Sequence, residues 1–485
     1  MMSLVVYIVS VFFKLLTITE RIYHSTDFEV HRNWLAITHS LPFSQWYTEA
    51  TSIWTLDYPP FFAYFEWFLS VFAHYFDPAM LIVSNLEYVS KATIIFQRLS
   101  VILISDGILA FGIYMSASKN VSLVLSLFSS TLFIVDHIHF QYNGMMLGLL
   151  LLSIGLVESG KFYSAALTYA VLIFTKHIFV FAAPVFLMFY LRHFIYPSPS
   201  VSRALLRIGG LVLILGGVAV AAIGPLVYTN QLEAAMRRLF PFGRGLMHAN
   251  WPPNFWALYL ATDRVAAKLA GIPGLNNSPT RGLVGITSTV VLPEITPQIS
   301  FAIVGIIYSL LLLFVWRKSY GQSFAVWVGF GNAIAFEFGY HVHEKALLMI
   351  LFPLLLHASI KGDTEKKLYK LLSLASCVTV FPLLFNETDN VLKWTICLAG
   401  FSLEQTLLTS QRSISDTALA LSSIAPEFYR VAVHGVWIFK NNEYPFIPIM
   451  LNSVVNALLI GIVLIRYFMH VLKTQPHKYV KSSPM

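Results

Sequence analysis

The chain has 485 residues, 57% of them hydrophobic, 15% aromatic and only 12% charged, with a formal net charge of +8 and a mean hydropathy of +0.69. A soluble globular domain does not have this composition. The short alternating segments of a β-barrel are missing, and no basic domain stands outside the apolar runs to serve a nucleic acid, so the positive charge is read as Lys- and Arg-rich cytoplasmic loops of an all-α polytopic membrane protein.

The first apolar run covers residues 4–19. It carries Lys14 and has no small-residue cleavage site, so it reads as a retained span and not as a signal peptide. A long polar and aromatic loop follows, residues 20–91. It opens on Ser25-Thr26-Asp27-Phe28-Glu29-Val30-His31-Arg32-Asn33-Trp34, which packs two carboxylates, a His and an Arg into ten residues. Two readings stand for this stretch: a polar site beside the first span, or a solvated loop with Glu29 and Arg32 paired at helical spacing. Further on, Asp57 lies in Leu56-Asp57-Tyr58-Pro59-Pro60. Asp27 and Asp57 thus flank Trp34, Trp46, Tyr47 and Trp54, whose faces suit stacking on sugar rings. Carboxylates beside aromatics suggest glycosyl chemistry; an interfacial aromatic belt with stray acids is the alternative. The apolar stretch Phe61–Phe76 contains Glu66 and His74, and either spans or lies in the interface.

Clearer spans follow at about 93–116, 121–135, 144–157, 162–175, 178–191 and 205–227, then, after a second long loop at 228–298, at about 299–316, 323–339, 346–360, 368–385, 391–409, 415–438 and 446–470. Several fall short of the ~20 residues that a bilayer requires, so their ends extend into polar flanks. The weakest is 415–438, which holds Glu427 and Arg430. If Phe61–Phe76 does not cross, there are about 14 transmembrane helices. Lys119, Lys161, Arg192, Arg203, Arg207, Arg317, Lys318, Lys361, Lys366, Lys367, Lys370, Arg412, Lys473, Lys478 and Lys481 then share one face, the cytoplasmic one by the positive-inside rule. The loops 20–91 and 228–298 share the opposite face with His137–Asn143, Lys176-His177 and His341–Lys345. That convergence is the main sequence evidence for a site, within one domain spanning 1–485. Cys377 and Cys397 lie in apolar runs and read as core thiols. Sequons at Asn386 and Asn120 are too common to decide sidedness.

Four further clusters carry chemistry. Asp136-His137-Ile138-His139-Phe140-Gln141-Tyr142-Asn143-Gly144 sits at a membrane boundary. His-x-His would put alternate side chains on one face of an extended segment and invites a metal; hydrogen bonding to substrate or between loops is the alternative. Lys176-His177 ends an apolar run, where the Lys can snorkel or serve as counter-charge to an anionic lipid head group. Arg237, Arg238 and Arg244, among glycines and aromatics and followed by His248 and Trp251, suit a phosphate or diphosphate, or the phosphates of membrane lipid. His341-Val342-His343-Glu344-Lys345 puts four ionisable groups at the start of a span, where they are costly unless solvated or paired.

Together these stretches resemble the dolichyl-phosphate-glucose-dependent alpha-1,3-glucosyltransferases of the endoplasmic reticulum, in the GT-C superfamily. The matching text is Asp27-Phe28-Glu29 with Arg32 and Trp34, Leu56-Asp57-Tyr58-Pro59-Pro60, Asp136-His137 with His139-Phe140-Gln141-Tyr142-Asn143, Arg238-Leu239-Phe240-Pro241-Phe242 and Val342-His343-Glu344-Lys345. Two such enzymes act in succession. His24-Ser25-Thr26, Val30-His31, Lys176-His177 and Pro253-Asn254-Phe255-Trp256-Ala257-Leu258-Tyr259 resemble the second, which acts on the monoglucosylated oligosaccharide. The resemblance implies a luminal active site on a GT-C fold, with a dolichyl phosphate glucose donor, a dolichyl-diphosphate oligosaccharide acceptor, and neither cofactor nor metal. It also implies inversion at the transferred glucose, with Asp27 as base. Dolichyl phosphate leaves as a stable anion and requires no acid. Charge stabilisation falls to His343, Lys345 or the loop arginines. Asp57 and Glu29 would orient sugars or pair with Arg32. On this reading Trp34, His137, His139, Gln141, Asn143, Lys176, His177, Arg238, Arg244 and Glu344 complete the substrate site. The rival readings are the first glucosyltransferase of the same pathway, acting on the unglucosylated oligosaccharide, and a transporter of lipid-linked solutes. A transporter places its charges near the midplane on broken helices, whereas here they gather at span ends and in loops.

Overall fold

A computed structural model of the chain describes residues 2–16, 25–116, 120–240, 243, 245–248, 250–272, 289–319, 322–384, 387–411, 413–438 and 446–474. Among these the secondary structure is helical, with a single isolated bridge between Met247 and Val342. Lys119, Asn386, Arg412, Lys478 and Lys481 lie outside the described residues.

In chain order the helices are α1 (Met2–Leu15), α2 (Thr26–Ser40), α3 (Pro60–Phe76), α4 (Lys91–Tyr114), α5 (Asn120–Ile138), α6 (Asn143–Glu158), α7 (Phe162–Thr175), α8 (His177–Ile195), α9 (Val201–Tyr228), α10 (Leu232–Leu239), α11 (Phe255–Leu269), α12 (Pro297–Lys318), α13 (Phe324–Phe338), α14 (Leu348–Ser359), α15 (Asp363–Thr379), α16 (Asn390–Leu407), α17 (Ile414–Phe428) and α18 (Ile447–Lys473). Six of them, α4, α5, α8, α9, α12 and α18, are long and apolar enough to cross a membrane. This is an all-α polytopic membrane protein: helices satisfy every backbone group internally, as lipid demands. Each predicted span falls on a helix. Of the shorter apolar ones, α6, α13 and α14 are largely interior, while α1 exposes Leu4 and Phe12. Along α6 nearly every residue is buried, whereas only 17% of the α9 window is. The weak segment at 415–438 is explained by its own charges: Arg430 takes Glu427 at 2.7 and 2.9 Å and reaches Asn390 at 2.6 Å. Cys377 and Cys397 are buried thiols.

The chain divides into two compact units. The first comprises Met1–Ala183 and Tyr190–Pro241, the second Pro184–Phe189 and Phe242–Met485. In the second, Phe186 and Phe189 pack on Phe324, with ring centroids 4.8 and 4.5 Å away. A separate cluster joins Trp251, Trp256 and Leu260 to Ala457.

The first unit departs from the sequence reading in one respect: residues 25–76 are not an open loop, because two helices occupy most of them. Ser25 caps α2, accepting from the Phe28 amide at 3.2 Å, and Asp27 and Glu29 fill the first turn, where acids complement the helix dipole. The charge that reads as loop solvation is thus a helix start. Pro60 opens α3 at its first position, where the missing N–H costs nothing. Lys14 and Asp106 join α1 to α4 at 2.6 Å, each side chain 1% exposed. A cation in an apolar segment is tolerated only with such a partner.

The tightest seam in this unit lies between α4 and α6. A Cβ built on Gly148 would meet the Ile108 carbonyl oxygen at 2.5 Å, and one on Gly112 would overlap the Gly148 carbonyl. Glycine here lets two backbones touch, as small residues do in membrane helix pairs. Nothing lies within 4 Å of the Cβ position of Gly216 on α9. Gly148→Val is therefore expected to destabilise the protein by about 1–3 kcal/mol, read as a lower unfolding temperature in detergent, while Gly216→Val leaves that temperature unchanged.

Candidate active site

Asp27 stands in the first turn of α2 with its side chain 23% exposed. Its Oδ2 accepts from Gln141 Nε2 and lies 3.2 Å from His139 Nε2. Both partners come from the turn between α5 and α6, and Ser25 at the cap of α2 donates to the carbonyl of His139. One hydroxyl therefore fixes the helix start and the turn together. The polar chain continues inward. Asn143 Nδ2 donates to Gln141 Oε1 at 2.7 Å and to Asp136 Oδ1 at 2.8 Å. The other oxygen of Asp136 accepts from the Gly144 amide at 2.7 Å, and Lys176 Nζ reaches Asn143 Oδ1 at 3.0 Å. A Cβ on Gly144 would meet Ser105 Oγ at 2.9 Å, so a larger residue here would have to displace that hydroxyl. Lys176 also lies over the Tyr58 ring, 5.1 Å from its centroid. Burial, then the charges of Asp57 and Asp27, push the Tyr58 hydroxyl well above its ordinary value, so it stays a neutral phenol.

Within the first unit the structure thus gathers Asp27, His139, Gln141, Asn143 and Lys176, with Asp136 and Tyr58 beside them. It turns other expected residues elsewhere. Glu29 and Arg32 form a bidentate pair at 2.6 and 2.7 Å, and Arg32 donates to the Met80 carbonyl at 2.8 Å. That clasp ties α2 to the segment after α3. Trp34 is 2% exposed, its indole N–H shared between the carbonyls of Trp54 and Thr55. Its ring packs on His31 and Tyr58, and Trp46 and Tyr47 are buried too. These rings are core, with no open face for a sugar. His137 does not share a face with His139: residues 133–138 close α5 as a π-helical turn and are not extended. His137 Nε2 lies 3.3 Å from Asp106 and joins the Lys14 network. His177 packs against Phe240 at 5.2 Å. Arg238 donates to the Glu49 carbonyl at 2.7 Å; burial lowers its guanidinium, against the charges of half-buried Asp57 and of Glu49. Arg237 spends its charge on Glu233 at the surface. His24, Pro241, Phe242 and Arg244 lie outside the described residues.

The second unit carries its own cluster. The His341 amide donates to the Leu246 carbonyl at 2.9 Å, and its ring meets the Gly245 carbonyl at 2.9 Å. This pairing brings His248 to His343, the rings stacked 3.9 Å apart. His248 Nδ1 lies 3.5 Å from Glu344 Oε2, and Glu344 is 1% exposed. Burial opposes the Glu344 charge, but the His248 contact and the Lys345 charge outweigh it and hold the carboxyl well below the usual range. Burial, then the neighbouring His248, lowers His343 and favours its neutral form. Lys345 is half-buried on the turn Glu344–Leu347. Among the described residues His248, His343 and Glu344 are the set whose ligand atoms could hold a metal, lying within 4.8 Å of one another. His248 is the residue that sequence reasoning left out of the site. It is far from His343 along the chain, and only the 245–248 pairing reveals it. Tyr58 and Asp136 were visible only inside longer motifs.

A sequence profile of the ALG6, ALG8 glycosyltransferase family matches residues 10–467. The chain is 40% identical over 462 residues to the dolichyl pyrophosphate Glc1Man9GlcNAc2 alpha-1,3-glucosyltransferase of Arabidopsis thaliana, covering 88% of this chain and 90% of the relative. A Drosophila melanogaster protein given as probably the same enzyme is 40% identical, over 90% of this chain and 88% of its own. The Mus musculus enzyme is 39% identical, over 90% and 89%. A profile match through both units, with these relatives aligned along most of their own length, shows that the chain belongs to the ALG6, ALG8 glycosyltransferase family.

Proposed function

We propose that this glycosyltransferase moves glucose from dolichyl phosphate glucose, with inversion, to the monoglucosylated dolichyl-diphosphate oligosaccharide, in the lumen of the endoplasmic reticulum. The relatives' names supply the acceptor and the alpha-1,3 linkage. The observation that carries the site is Asp27. Its carboxylate is partly exposed, and one of its oxygens accepts from the Gln141 amide and lies 3.2 Å from the His139 imidazole, which orient it. The family match through 10–467 supports reading both units as one glycosyltransferase domain.

The chemistry needs one base and a stabilised leaving group. Asp27 takes the proton of the acceptor hydroxyl as that oxygen bonds to the anomeric carbon. The bond from that carbon to the phosphate oxygen breaks on the opposite side, so configuration inverts. The electron pair leaves with dolichyl phosphate, which is already an anion and takes no proton. Asp27 then returns its proton to water. Candidates to meet the phosphate are Lys176 or Arg238 of the first unit, or His343 or Lys345 of the second. Following the family resemblance, no step requires a metal; His248, His343 and Glu344 would be the place for one.

Purified protein given dolichyl phosphate glucose is expected to glucosylate the monoglucosylated acceptor in preference to the unglucosylated one. The reverse preference moves the assignment one step earlier in the pathway. Asp27→Asn keeps the amide contacts but removes the base, so turnover should fall about 10²–10⁴-fold in a protein of unchanged gel-filtration behaviour; robust transfer by that variant would sink the assignment. EDTA is expected to leave the rate within about twofold. A collapse reversed by added Zn²⁺ or Mn²⁺ would hand the leaving group to a metal.

A further inference from the structure

The turn that holds Asp27 contains a residue in an unfavourable conformation. Phe140, between His139 and Gln141, has φ +81°. This left-handed region is costly for a bulky side chain and persists only where the surroundings over-determine it. The surroundings are aromatic. The Phe140 ring meets Phe28 at 5.2 Å, Tyr142 at 5.5 Å and the His31 imidazole at 5.5 Å. Phe28 and His31 both lie on α2, the helix that carries Asp27, and His31 is one turn on from Asp27.

His31 is itself fixed. It is 4% exposed among Trp34, Tyr58, Phe62, Phe140 and Tyr142. Among the described residues its hydrogen bond is from Nδ1 to Glu66 Oε1, at 2.7 Å. Glu66 is fully buried on α3, and its second oxygen has no hydrogen-bond partner among the described residues. A half-satisfied carboxylate buried among rings is an expensive thing to keep for packing alone.

We propose that the His31–Glu66 pair is a positioning element for the reaction: it locks the imidazole against Phe140, which keeps the turn left-handed and sets His139 and Gln141 on the Asp27 carboxylate. The inference rests on Asp27 being the base. In mechanism, loss of the pair lets Phe140 relax toward negative φ, and the two donors swing away from Asp27. The helices stay packed and substrates still bind, but the carboxylate loses its aim, which is a kcat effect.

Two pairs of variants test this. Glu66→Leu should lower kcat about 10- to 100-fold with the donor KM changed less than about threefold, whereas Glu66→Gln, which can still accept from His31 Nδ1, should keep kcat within about threefold of wild type. Phe140→Ala and Phe140→Gly both remove the ring, but only glycine adopts φ +81° without strain. Phe140→Gly should therefore turn over at least about fivefold faster than Phe140→Ala, with similar KM values. A folded Glu66→Leu protein with wild-type kcat, or a Glu66→Leu defect confined to KM, overturns the proposal. If Glu66→Leu does not fold, equal kcat for the two Phe140 variants overturns it. Asp27→Asn is run beside them: full activity there removes the base and this inference with it, while an inactive Asp27→Asn beside wild-type Glu66→Leu and equal Phe140 variants removes the inference alone.

Discussion

In an interior this apolar, an ionised side chain survives only if the fold brings it a partner, and that requirement shapes the protein. Lys14 finds Asp106, Arg32 finds Glu29, Arg430 finds Glu427, and Glu344 finds His248. Each pair joins elements or closes a helical turn, and each ties its charge down. Asp27 is treated differently. A carboxamide and an imidazole are among its partners, and part of it remains open. A general base needs a carboxylate that substrate can reach, which the partial exposure of Asp27 provides.

The sequence made much of this readable, for physical reasons. Long apolar runs have to be helices in lipid, so the spans could be placed within a few residues. The residues now gathered at Asp27 were marked because Asp, His, Gln and Asn at a span end are costly without a purpose. Direction was harder. Side chains one or two positions apart differ in fate because the last turn of α5 winds as a π-helix, and no periodicity in residues 133–139 announces that. His137 and His139 therefore read as a matched pair, while in space one serves the Lys14–Asp106 network and the other serves Asp27.

Burial was the other hidden quantity. Trp34 has the composition of a sugar platform, yet its indole is spent inside the first unit. The clasp of Glu29 and Arg32 obeys helical spacing, as the blander reading held, but it also reaches the Met80 carbonyl, and so joins distant pieces of backbone. Residues that cross-link a fold and residues that bind substrate are drawn from the same polar types, and only neighbours in space separate them. His248 is the converse case: unremarkable in its own stretch, and paired with Glu344 only by a short backbone contact.

The seam of Gly112 and Gly148 has a consequence for how this protein meets its membrane. Where two helices touch backbone to backbone, neither can slide without driving a side chain into the space of a hydrogen atom. The seam therefore acts as an index mark, setting the height of Asn143 at the head of α6 and, through it, the depth of the polar chain that ends on Asp27. A thicker or thinner bilayer is accommodated by the tilt of helices such as α9, only 17% of whose apolar window is buried, while the seam holds the site to its level.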